Sequence, residues 1–86
     1  MAISAVKLDE RIADVRVTAE RLELTLRDGR LVAAPLEWFP RLAAASAAKR
    51  EQWEISGAGF GVHWPEIDED IGVAGLLRAG ATKHQP

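Results

Sequence analysis

Cysteine and tyrosine are absent from this chain of 86 residues, methionine occurs once and histidine twice. Without cysteine there is no disulfide, no thiolate ligation of zinc or an iron–sulfur cluster, and no thiol nucleophile. No apolar run approaches the roughly 18 residues of a membrane-spanning helix. The first residues carry one lysine before a short, interrupted apolar stretch and show no small-residue cleavage pattern. Neither export nor a membrane span is therefore expected, and a cytoplasmic location is. A basic run is also missing: 11 basic residues are scattered among 13 acidic ones for a net charge of −2, and Lys49-Arg50 is the tightest grouping. Affinity for a phosphate backbone rests on clustered cations, so direct nucleic-acid binding is not expected.

What remains is an ordinary globular composition, 48% hydrophobic and 28% charged, with room for one modest core. The pattern divides the chain into a flexible N-terminal segment over 1–10, a single α+β domain over 11–79 and a disordered tail over 80–86. The domain opens with a three-stranded antiparallel meander. Asp14 to Thr18, Arg21 to Arg27 and Arg30 to Pro35 alternate apolar with polar residues, joined by two-residue turns at Ala19-Glu20 and Asp28-Gly29. Those turns set Val17 opposite Leu22, Val15 opposite Leu24, Leu26 opposite Leu31 and Leu24 opposite Ala33. The leucines share one face, while Glu23, Thr25 and Val32 lie on the other.

From Leu36 to Arg50 the pattern is helical. Pro40 fits the first turn, and Ser46 divides the stretch into two short helices by capping the second. Gln52 to Ser56 alternates again. Gly57 and Gly59 permit a reversal, and Phe60, Val62 and Trp64 form one face of a partner strand closed by Pro65, giving a second β-hairpin. A short C-terminal helix over Val73 to Arg78 completes the domain.

Chemistry is concentrated in Gly59 to Asp70, which holds His63, Glu66, Asp68, Glu69 and Asp70. A hard cation or an activated water would suit such carboxylates, but the spacing does not. A calcium loop beginning at Asp68 has its glycine one residue early and Ala79 where the closing glutamate belongs. His63 has no companion for an H-E-x-x-H helix. Ser4, Ser46 and Ser56 lie outside any nucleophile elbow, and the glycines do not lead from a strand into a helix as a phosphate cradle does. No catalytic, metal or cofactor-binding residue is assigned, and no cofactor is expected. The carboxylates suit the entrance of the last helix, where Asp68 or Asp70 could accept orphan backbone N–H groups. Trp53 is expected in the core. Trp38 and Trp64, beside prolines and acids, are read as core side chains or, if partly exposed, as candidate interface anchors.

The order of these motifs resembles the bacterial family known as domain of unknown function 2442, over roughly Ile12 to Leu77. The resemblance rests on Leu26-Arg27-Asp28-Gly29-Arg30, on Pro35-Leu36-Glu37-Trp38-Phe39-Pro40-Arg41-Leu42, and above all on Gly61-Val62-His63-Trp64-Pro65-Glu66-Ile67-Asp68-Glu69-Asp70-Ile71 with Gly75-Leu76-Leu77. Gly72 departs from the family, which commonly has serine there, and this shifts the expected helix cap to Asp70. The family has no established activity. Its members resemble small α+β domains found beside a gene for another small protein, sometimes joined to a helix-turn-helix domain. The resemblance implies a protein-interaction domain of an antitoxin-like two-gene module rather than an enzyme. The partner is a small cognate protein, with a homo-oligomer as the other possibility, and Trp38, His63, Trp64, Asp68 and Asp70 are the candidate contacts. The alternatives are a metal-dependent or acid–base enzyme using His63 with Asp68 and Asp70, and a nucleic-acid accessory protein using Arg41, Lys49 and Arg50.

Overall fold

Thr18 and Asp28 shape the first sheet in the computed structural model, which describes residues 7–82. The Thr18 hydroxyl accepts from the Glu20 and Arg21 N–H groups at 3.1 and 3.0 Å, and its N–H donates to the Arg21 carbonyl at 2.9 Å. This closes the turn between β1 (Ile12–Val17) and β2 (Arg21–Leu26) with Val17 opposite Leu22 and Val15 opposite Leu24, as the alternation predicts. A bulge between Ile12 and Asp14 reverses the facing of the first residues, so Ile12 is buried opposite Leu26.

The turn from β2 to β3 (Leu31–Pro35) differs from expectation by one residue. Leu24 faces Val32 rather than Ala33, and Leu22 faces Ala34. The loop is three residues long: Leu26 donates to the Arg30 carbonyl at 2.8 Å, Gly29 donates to Leu26 at 3.0 Å, and only Gly29 has a positive φ, +97°. That is a turn ending in a glycine bulge, not the two-residue turn that needs positive φ twice. The Asp28 carboxylate explains the choice. Its side chain is 1% exposed and accepts from the Asp9 N–H at 2.9 Å, the Arg30 N–H at 3.1 Å and the Arg30 guanidinium at 2.8 Å. The slip turns Val32 towards the core and leaves Leu31 59% exposed.

Of the segment expected to be flexible over 1–10, residues 1–6 lie outside the described residues, while residues 7–10 form no strand and Asp9 is bonded to the Asp28 turn. A 3-10 turn over Leu36–Trp38 leads into α1 (Pro40–Ala44), with Pro40 in the first turn, and α2 (Ala47–Arg50). Ser46 caps α2 as predicted, accepting from the Lys49 N–H at 3.2 Å.

The second sheet has three strands in the order β4 (Glu54–Ser56), β5 (Gly61–Trp64), β6 (Glu69–Gly72). The last of these extends the predicted hairpin. Four residues, Pro65 to Asp68, make the turn from β5 to β6, ending with Asp68 at φ +54°, and Trp64 pairs with Glu69. The acidic run therefore continues the sheet. Asp70 lies inside β6 opposite His63, and among the described residues neither Asp68 nor Asp70 bonds a backbone N–H of α3 (Val73–Thr82), so the expected cap is corrected. That helix runs past Arg78 to Thr82, and the tail over 83–86 lies outside the described residues.

One core joins both sheets. Leu22, Leu24, Leu26, Ile12, Val15 and Ala34 meet Leu36 from the 3-10 turn, Leu42 from α1, and Val62, Trp64, Ile71, Val73 and Leu76 from the second half. Each such large side chain contributes about 1.5–3 kcal/mol on burial. Trp53 is half-buried at the margin rather than central, and Phe60, expected to share a face with Val62 and Trp64, is 48% exposed beyond the end of β5. The result is an α+β fold of two three-stranded antiparallel sheets with short helices.

Candidate functional site

Alternation along β5 puts Val62 and Trp64 inward and His63 outward. Pairing on both sides then aligns Glu54 of β4, His63 of β5 and Asp70 of β6 in one row on the outer face of the second sheet. His63 is held by the main chain: its Nδ1 lies 3.1 Å from the Glu69 carbonyl, which can only accept, so Nδ1 carries the proton there. The same nitrogen is 3.6 Å from the Asp70 carboxylate. A base working through Nδ1 would have to give up this contact.

Asp70 also borders a groove of about 240 Å³. Trp38 and Phe39, on the turn before α1, form one side; Ile71 and Gly72 of β6 and Gly75 and Leu76 of α3 form the other. Thus the structure brings Trp38 and Asp70 together along one groove and sets His63 against Asp70.

The other two predicted contacts lie elsewhere. Trp64 is 0% exposed, with its indole Nε1 donating to the Arg50 carbonyl at 3.0 Å, so it is a core residue and not an interface anchor. Its position on the inner face of the middle strand, opposite Glu69 and beside Val62, leaves it no route to the surface. Asp68 is at the tip of the β5–β6 turn with its side chain 92% exposed, and its carbonyl accepts from Arg41 Nη1 at 2.7 Å. Among the described residues no three His, Asp or Glu side chains converge in a way that could hold a metal ion.

The basic residues singled out in the sequence are likewise engaged. Arg41 anchors the Asp68 turn, Lys49 Nζ lies 4.0 Å from Glu66, and Arg50 donates to the Leu42 and Ala43 carbonyls at 3.1 and 2.8 Å. Arg50 thereby supplies donors to the end of α1, a structural task.

Charge is organised most tightly at the β2–β3 turn. Bidentate pairing with Arg11, at 2.9 and 2.7 Å, lowers the Asp9 carboxyl to about 2, and the Arg30 guanidinium with the Asp9 N–H holds the Asp28 carboxyl well below the usual carboxylate range. The Asp9 N–H bond to Asp28 and the Arg30 contact with Glu10 at 3.2 Å join the N-terminal segment to the hairpin.

Sequence reasoning missed Phe39, Gly72 and Gly75 as groove residues. Gly75 carries a signal that could have found it, because glycine is poorly suited to a helix interior.

Fold and site together define a small α+β domain with an aromatic, acid-edged groove and no helix among the described residues long and apolar enough to cross a membrane. Over residues 12–82 the chain matches the family described as Protein of unknown function (DUF2442), and it belongs to that family. A crystal structure of a protein of unknown function from Rhodospirillum rubrum ATCC 11170 is similar, with 31% sequence identity, a TM-score of 0.69, and coverage of 80% of this chain and 86% of that one. No curated protein matches.

Proposed function

We propose that this protein is a small cytoplasmic interaction domain that binds a small cognate protein, in the manner of an antitoxin-like two-gene module. The observation that carries the proposal is the groove that sets Trp38 and Phe39 against Asp70. Aromatic side chains beside a fixed charge are the usual anchors of a protein interface, whereas His63 is committed to the Glu69 carbonyl. The test is to co-express the chain with the product of the neighbouring gene. A stable complex on size-exclusion chromatography, weakened by Trp38→Ala and Asp70→Lys, and neutralisation of growth arrest are the expected results. Separate migration at micromolar concentration without neutralisation would sink the proposal.

The competing enzymatic reading has one observation in its favour, the approach of His63 to Asp70 at 3.6 Å. It places Asp68 in the same site, yet that carboxylate is on the turn, 3.9 Å from Arg41. A thermal shift with magnesium, manganese or zinc that disappears in Asp70→Asn would favour it over partner binding.

A further inference from the structure

The strand order leaves β6 at the edge of its sheet, paired among the described residues with β5 alone. Which of its backbone groups point outward follows from one hydrogen bond. The Val73 N–H donates to the Phe60 carbonyl at 2.9 Å, so these residues form a hydrogen-bonded pair at the head of the ladder. Antiparallel ladders alternate. Val62 with Ile71 and Trp64 with Glu69 then bond each other, while Gly61 with Gly72 and His63 with Asp70 do not. The N–H and C=O groups of Asp70 and the N–H of Gly72 accordingly face away from β5, while the Gly72 carbonyl, at the N-cap position of α3, is taken up by the first turn of that helix.

This open edge borders the groove lined by Trp38 and Phe39, and the groove is kept clear by glycine. A Cβ added at Gly75 would meet nothing within 4 Å, and one at Gly72 would come no nearer than 3.9 Å to the Phe60 carbonyl oxygen. Neither glycine has the left-handed φ that would require it, and Gly75 sits inside α3, where glycine weakens the helix relative to alanine. The fold gives no packing reason for these two residues, whereas an incoming backbone would need the space they leave.

We infer that an extended segment of the partner adds to β6 as a further strand, its residues alternating apolar with basic. This rests on the groove being the partner site proposed above. Strand addition uses backbone hydrogen bonds for affinity and alternate side chains for specificity. Residues on the inner side meet Trp38, Phe39 and Ile71; residues on the outer side meet Asp70. Asp70 is exposed, so a cation is the complementary group there. A second copy of the chain fits less well, since pairing β6 with itself would bring the Glu69-Asp70 carboxylates of two copies together.

The experiment uses the full chain with short labelled peptides alternating valine with lysine, and twins alternating valine with glutamate. Fluorescence anisotropy is expected to show binding of the lysine peptide and at least about tenfold weaker binding of its twin. Amide hydrogen exchange at Asp70 and Gly72 should slow in the complex. Gly75→Leu should abolish binding while the protein stays folded, Gly75→Ala should raise Tm, and Asp70→Lys should reverse the preference between peptides. Equal binding of both peptides, no binding of either, or unchanged exchange at Asp70 and Gly72 would overturn the inference. So would a self-associated dimer broken by Gly75→Leu. A cognate protein that binds unsubstituted and Gly75→Leu chains alike refutes strand addition and leaves partner binding standing. Lysine-peptide binding of the expected kind with no cognate complex refutes the two-gene role instead.

Discussion

The Trp64 indole Nε1 donates to the main-chain carbonyl of Arg50 at 3.0 Å, which ties the middle of the second sheet to the end of α2. Arg50 turns its own guanidinium back onto the Leu42 and Ala43 carbonyls. A single residue therefore links α1, α2 and β5. Trp64→Phe keeps a ring in the core but leaves the Arg50 carbonyl without its donor, and should cost about 1–3 kcal/mol. Arg50→Ala removes the donors at the end of α1 and should cost about 1–2 kcal/mol. Urea denaturation of both variants checks this; a Trp64→Phe protein within about 0.5 kcal/mol of the parent would show the bond to be dispensable.

Acid should destabilise the fold through the β2–β3 turn. The folded-state pKa values of Asp9 and Asp28 are lowered, because the Arg11 and Arg30 guanidinium groups and backbone N–H groups favour the carboxylates. A lowered folded value means that the native state binds fewer protons than the unfolded chain, whose aspartates titrate near 3.9. The stabilisation is fully present above about pH 4 and is lost as pH falls towards and below about 2. Tm measured between pH 5 and pH 2 should drop across that window, and Asp28→Asn should flatten the drop while lowering Tm at pH 5. An equally steep drop in Asp28→Asn would assign the acid sensitivity to other groups.

The register of the first hairpin can be tested through two adjacent residues. Leu31 is exposed and Val32 packs against the core, the reverse of what a two-residue turn gives. Leu31→Thr should therefore change stability by no more than about 0.5 kcal/mol, as exposed substitutions usually do. Val32→Ala should cost about 1 kcal/mol or more through lost apolar contact. Equal costs in chemical denaturation would contradict the observed pairing.

Those two residues also show where sequence reasoning stops. The β1–β2 register, the Pro40 and Ser46 helix starts and the burial of the β2 leucines were legible because each depends on residues within one turn. The slip at Leu31 was not, since it depends on Asp28 bonding to Asp9, 19 residues away. β6 was hidden for a similar reason: its acids suited a helix entrance locally, and only pairing with β5 makes Glu69–Gly72 a strand. Of the candidate contacts named from residue type, Trp38 and Asp70 line one groove and His63 lies against Asp70. Trp64, open to both a core and an anchor reading, is a core ring with a buried donor, a choice that residue type alone does not make.

The turn before β5 offers a pair of substitutions with opposite expected signs. Gly57, Ala58 and Gly59 have consecutive positive φ values of +56°, +59° and +101°. The left-handed conformation costs a non-glycine residue about 1–2 kcal/mol, part of which glycine returns through a more flexible unfolded chain. Ala58→Gly should thus stabilise the protein by about 0.5–1 kcal/mol. Gly59→Ala should destabilise it, both through its φ and because the new Cβ would lie 2.9 Å from Cγ of Arg11. Displacing that side chain would pull on the bidentate pair in which it donates to Asp9 at 2.9 and 2.7 Å. Gly59→Ala should therefore also raise the Asp9 pKa towards the ordinary range, a shift visible by NMR titration of its carboxyl carbon. A destabilised Gly59→Ala protein with an unmoved Asp9 titration would mean that backbone strain alone is responsible and that Arg11 accommodates the methyl group without releasing its partner.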